Sequence, residues 1–159
     1  MSKNFGRVVA LDFEYEVKGG EYNLQEGDLP RVLCMVAYVL DEHLQHIVTI
    51  RLWRGEFGPE PPFDIGPDTL FVAYYASAEI GCHLALGWPV PARVLDLFTE
   101  FRRITNGLPT IAGNSLVGAL THFGLDAIPI TEKKDMRDLA IELGRTGRSA
   151  RQGGAIKLT

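Results

Sequence analysis

Apolar residues fall in short blocks separated by Gly, Pro and charge, and the spacing inside each block separates strands from helices. Val8-Val9-Ala10-Leu11 runs straight into Asp12-Phe13-Glu14, a block rich in β-branched residues that predicts a buried strand. Side chains two apart on a strand share a face. Asp12 and Glu14 should therefore project together at the strand's C-terminal end, with Phe13 turned into the core. Val17 to Pro30 holds Gly19, Gly20, Gly27 and Pro30 among charged residues and reads as a loop. Arg31 to Leu40 and Gln45 to Trp53 are strand-like runs separated by Asp41 to Leu44, a length that suits an antiparallel hairpin. Gly55 to Pro67, rich in Pro and Gly, predicts an exposed connection.

The pattern then changes. Thr69 to Tyr74 reads as a buried strand, Ser77 to Leu86 as a helix and Ala92 to Leu97 as a short strand, which together make a βαβ unit. Such a crossover requires parallel strands and is almost always right-handed. Helices follow at Phe98 to Ile104, at Ser115 to Phe123 closed by Gly124, and at Thr131 to Leu143 closed by Gly144, Gly being the common residue just past a helix end. An antiparallel meander joined to parallel βαβ strands predicts an α/β chain with a mixed sheet and helices packed on it.

Composition narrows the functional classes. At 159 residues, with 46% hydrophobic and 23% charged positions, the chain suits one folded domain with a sizeable core. No run approaches the roughly 18 apolar residues of a membrane span, and the start is not a signal peptide, so the expected compartment is the cytoplasm. Cys34 and Cys82 lie far apart in apolar surroundings with no zinc-ligand spacing, as expected of core thiols. A net charge of −4 argues against a broad basic nucleic-acid surface but leaves metal-bridged phosphate binding open. After Glu142 there are no acids, while Arg145, Arg148, Arg151 and Lys157 stand among glycines. Residues 144–159 are thus expected to be a basic, Gly-rich, disordered tail behind a folded unit at 1–143.

Two carboxylates on one strand face repel unless a cation lies between them. Mg²⁺, bound through one or two carboxylates plus substrate phosphates, is the natural ion; the competing reading is a strand that ends in acids because it meets solvent. Glu79, on the first turn of the helix after the Thr69 strand, is placed to supply a third acid, although the helix dipole alone favours a Glu there. Glu79 and His83, at i and i+4, either share a metal or form a surface pair. Asp96 ends a parallel strand, where ligands gather in α/β folds, or caps the helix beginning at Phe98. Tyr74, Tyr75 and Phe13 have rings suited to stack on an unpaired base, with core packing the better account of Phe13. Arg102 and Arg103 suit phosphate or a solvated helix end. No Gly-rich phosphate loop follows the first strand, which argues against a nucleotide cofactor.

A hydrophobic strand ending in Asp12-x-Glu14, then a hairpin, then a strand leading into an acid on the next helix resembles the DEDD 3′-to-5′ exonucleases of the ribonuclease-H-like fold. Val72 to Arg103, with Ala-Tyr-Tyr-Ala-Ser-Ala-Glu, Gly-Trp-Pro-Val-Pro-Ala-Arg-Val-Leu-Asp-Leu and Thr-Glu-Phe-Arg, is similar to the amino-terminal proofreading region of bacterial and phage family A DNA polymerases. The resemblance implies two Mg²⁺ or Mn²⁺ ions, a single-stranded DNA 3′ end as substrate, and a polymerase domain absent from this chain as partner. It gives Asp12 the bridging role, Glu14 the ion carrying the attacking water, and Glu79 the second ion. The second motif of the family usually reads Asn-x-x-x-Asp; here Tyr75 and Glu79 occupy those positions. The third motif, a Tyr or His followed a helical turn later by a fourth acid, is not found. His122 and Asp126 are interrupted by Gly124, and Asp135 and Asp138 share a charged helix face with Lys134 and Arg137. The expectation is an incomplete exonuclease domain, the alternative being an inactive module that binds nucleic acid or a partner.

Overall fold

The computed structural model describes residues 5–17, 29–106, 108–110, 112–126, 138–139 and 141–142. Strand β1 (Arg7–Glu16) lies at the centre of a five-stranded sheet of order β3-β2-β1-β4-β5. Its antiparallel neighbour β2 (Arg31–Asp41) pairs along its whole length, from Arg7 opposite Asp41 to Glu16 opposite Arg31, with a bulge between Glu14 and Tyr15. β3 (His46–Trp53) completes the meander at the sheet edge. The hairpin turn is built by Asp41, whose carboxylate accepts the N–H groups of His43 and Gln45 at 2.8 and 2.9 Å, while Leu44 takes a left-handed φ of 62°.

On the other side of β1 lies the parallel unit. β4 (Thr69–Ala73), α1 (Ala76–Ala85) and β5 (Val94–Asp96) form the βαβ crossover, with β4 parallel to both β1 and β5. The pairing of β4 with β1 begins at Arg7 opposite Thr69 and ends at Ala10 opposite Val72. Beyond Ala10, β1 continues for six residues with β2 alongside but no strand on its β4 flank. Asp12 and Glu14 therefore lie inside the strand rather than at its C-terminal end. What ends beside them is the neighbouring strand.

The alternation of β1 turns Val9, Leu11 and Phe13 onto the face covered by α1, where they meet Met35, Ala37 and Val39 of β2, Phe71 and Ala73 of β4, and Cys82 of α1. Gly55 to Pro67 is not simply an exposed connection. Phe63 is buried in the core, Phe57 packs against it, and the Trp88 indole N–H donates to the Gly58 carbonyl at 2.9 Å. Aromatic side chains in a Pro-rich segment fold inward because the hydrophobic area they remove from water outweighs the loop composition.

α2 (Leu97–Ile104) is capped by Asp96, whose carboxylate accepts the N–H groups of Phe98 and Thr99. α3 (Leu116–His122) is capped by Ser115 and followed by Gly124 at φ 65°. Close approach of α3 to its preceding loop requires Gly118: a Cβ there would run into the carbonyl oxygens of Gly113 and Ala112. The helix expected over Thr131 to Leu143 lies largely outside the described residues, as does the 144–159 tail. Among the described residues no helix is long and apolar enough to cross a membrane.

Candidate active site

The early end of β4 creates the site. A central strand without a neighbour has backbone N–H groups that need acceptors. At Phe13 the acceptor is a side chain: Glu79 Oε2 takes the Phe13 N–H at 2.9 Å. Glu79 reaches it from the first turn of α1, is only 4% exposed, and stands in for the strand that is missing there. Because Phe13 lies between Asp12 and Glu14, this one bond fixes Glu79 beside both acids.

The electrostatics report the same convergence. Burial, then the negative charge of Asp12, and then that of Glu14 raise the Glu79 carboxyl to about 8, opposed by the bond from Phe13 N–H. Cys34, directly across from Glu14 on β2, is pushed to about 11 by burial and by the charges of Glu14 and Asp12. Asp12 is exposed and Glu14 half-buried. All-oxygen donors in a field this negative suit a hard divalent cation. Among the described residues, however, no three of His, Cys, Asp and Glu stand together closely enough to hold an ion. The donors fit an ion held by paired carboxylates with its other positions left to substrate and water, not a closed protein cage.

His83 takes neither of the roles expected for it. It is fully buried, so it forms no surface pair with Glu79, and it is boxed by Phe13, Phe63, Phe71 and Trp88 with ring centroids 5.2–6.1 Å away. Its Nδ1 lies 3.0 Å from the Pro89 carbonyl, which accepts and so places the proton on Nδ1, while Nε2 has no hydrogen-bond partner. Burial lowers its pKa. Hydrophobic neighbours on α1 were the only sequence signal for this, and they do not distinguish a core histidine from a ligand.

The remaining candidates sort by their contacts. Phe13 is core. Tyr74 is half-buried, with its hydroxyl donating to the Asn114 carbonyl at 2.6 Å. Tyr75 is 52% exposed at the N-cap of α1, in the left-handed region at φ 69°. Asp96 caps α2 and also accepts the Tyr75 N–H at 3.2 Å. Arg103 is paired with Glu100 at 2.8 Å. Cys82 is buried, as expected of a core thiol, whereas Cys34 is only partly so.

No protein-family model matches the chain, and no curated protein does. A solved structure does match, over 92% of this chain, with a TM-score of 0.53 and 11% identity: an exonuclease I described as "ExoI/SSB-Ct complex". The fold is that of an exonuclease. The chain spans 42% of the length of that protein. The mixed five-stranded sheet with flanking helices is ribonuclease-H-like, and at this identity the likeness concerns the fold alone.

Proposed function

We propose that this chain is a metal-dependent phosphodiesterase domain that removes nucleotides from the 3′ end of single-stranded DNA, of the kind that proofreads for a polymerase domain. The observation that carries the reading is the Phe13–Glu79 bond, which holds a buried carboxylate beside Asp12 and Glu14 at the open flank of the central strand. The exonuclease fold supports it. Asp12 and Glu14 project from one strand face into solvent and would hold Mg²⁺ or Mn²⁺, with Glu79 anchoring the site from α1. A bound divalent ion supplies Lewis-acid stabilisation of phosphate charge and a more acidic water. The residues themselves concentrate negative charge where a cation and a phosphate are to meet, and Glu79 sets the position of the strand that carries the other two.

A second reading is a non-catalytic module that binds single-stranded nucleic acid or a partner. It is favoured by the lack of any three-ligand group among the described residues. A 3′-labelled oligonucleotide incubated with Mg²⁺ or Mn²⁺ decides between them. Stepwise shortening that disappears in Asp12→Ala is the expected result; a folded wild-type protein that shortens nothing overturns the enzymatic reading.

A further inference from the structure

Resting on the proposed function, we infer that Tyr75 is a stacking platform for the base of the unpaired terminal nucleotide, and so positions the substrate's end at the Asp12–Glu14–Glu79 site. Of the three aromatic residues near the site, Phe13 is spent on the core and Tyr74 is tied by its hydroxyl to Asn114. Tyr75 alone of the three presents its ring to solvent.

Its presentation is built rather than incidental. The left-handed conformation, φ 69° and ψ 59°, is one that a bulky residue rarely adopts, and it costs about 1–2 kcal/mol. Several contacts hold it there. The Asp96 carboxylate accepts the Tyr75 N–H, the Tyr75 carbonyl accepts the Ala78 N–H at 3.0 Å, and the ring meets Phe98 edge-to-face with centroids 5.2 Å apart. Asp96 is itself fixed by capping α2, and Phe98 is in the first turn of that helix. An exposed ring is thereby locked one helical turn before Glu79. A residue serving only to begin a helix would be Ser, Thr, Asp, Asn or Gly; Tyr75 makes no side-chain cap bond at all.

Rigid, half-exposed aromatic rings bind unpaired bases of any sequence, because every base has a π-face. The ligand class is therefore a single-stranded terminus with an intact base, without base preference. The carboxylates handle the phosphate, and the ring handles the base.

The test is a cycle between ring and base. Binding of a short single-stranded oligonucleotide, with a phosphorothioate at its terminal linkage to block cleavage, is followed by fluorescence anisotropy in Mn²⁺. Wild type, Tyr75→Phe and Tyr75→Gly are each compared on a normal and an abasic 3′ terminus. Glycine relieves the left-handed strain, so loss of folding is not expected, and thermal melts check it. Tyr75→Gly should weaken binding about tenfold, Tyr75→Phe should not, and Tyr75→Gly should lose nothing more on the abasic end, because the coupled partner is already gone. Additive losses, or equal binding by Tyr75→Gly, overturn the stacking role while cleavage by wild type keeps the enzymatic reading intact. A wild type that neither binds nor cleaves overturns both.

Discussion

Glu79 carries two demands that oppose each other. Its carboxylate completes the hydrogen bonding of a central strand, yet burial and two neighbouring acids disfavour its charge. With a folded pKa of about 8 against 4.5 when unfolded, the native state holds a proton that the unfolded chain releases. In a chelated buffer this group's stabilising effect is complete below about pH 4.5 and is lost as pH rises toward 8, at no more than about 1.4 kcal/mol per unit. Glu79→Gln keeps an oxygen for the Phe13 N–H and removes the charge. We expect it to be about 1–3 kcal/mol more stable than wild type at pH 8 and nearly equal at pH 4.5, measured by urea unfolding with EDTA present. The same substitution should abolish any gain in melting temperature from Mn²⁺, a gain that wild type should show by mass action. Asp12, Glu14 and Glu79 were legible as a group because strand alternation and first-turn position are local rules. The bond that joins them was not, since it depends on where β4 stops, and nothing in a tyrosine codon position signals that Tyr75 is left-handed.

Among the elements, α1 and the segment 55–67 are joined through the aromatic box around His83. Burial lowers the His83 pKa below its ordinary value of 6.5. The stability that depends on its neutral form is therefore present above about pH 6.5 and declines as pH falls through the lowered value. His83→Phe should flatten that acid limb in unfolding curves taken between pH 4 and 7, at some loss of stability from the missing contact to Pro89. Gly118→Ala should destabilise by about 1–3 kcal/mol, the usual cost of overpacking, because α3 cannot move off the carbonyls of Ala112 and Gly113 without giving up its place; a shifted urea midpoint would show it. The hairpin and the βαβ unit were readable from periodicity and turn chemistry, and their ends agree with the structure to within two residues. The aromatic role of 55–67 was hidden by its prolines and glycines, which describe the backbone and say nothing about where Phe57 and Phe63 go.

For the molecule as a whole, the arrangement of the sheet explains why the site is where it is. A meander uses one flank of β1 completely, and the parallel unit uses the other flank only as far as Ala10. The order β3-β2-β1-β4-β5 followed from reading an antiparallel pair and then a crossover, and the ribonuclease-H-like class with it. The third motif expected of the family falls where the chain is not described, so its loss or relocation is a matter for the cleavage assay. The short reach of β4 also gives this protein an internal gauge. Most amides at the centre of a sheet face a carbonyl whose charge never changes, whereas the Phe13 amide faces an acid. Its NMR shift should follow the ionisation state of Glu79 across pH and move again when Mg²⁺ binds, so that one backbone resonance reads the occupancy of the site without any label or substrate.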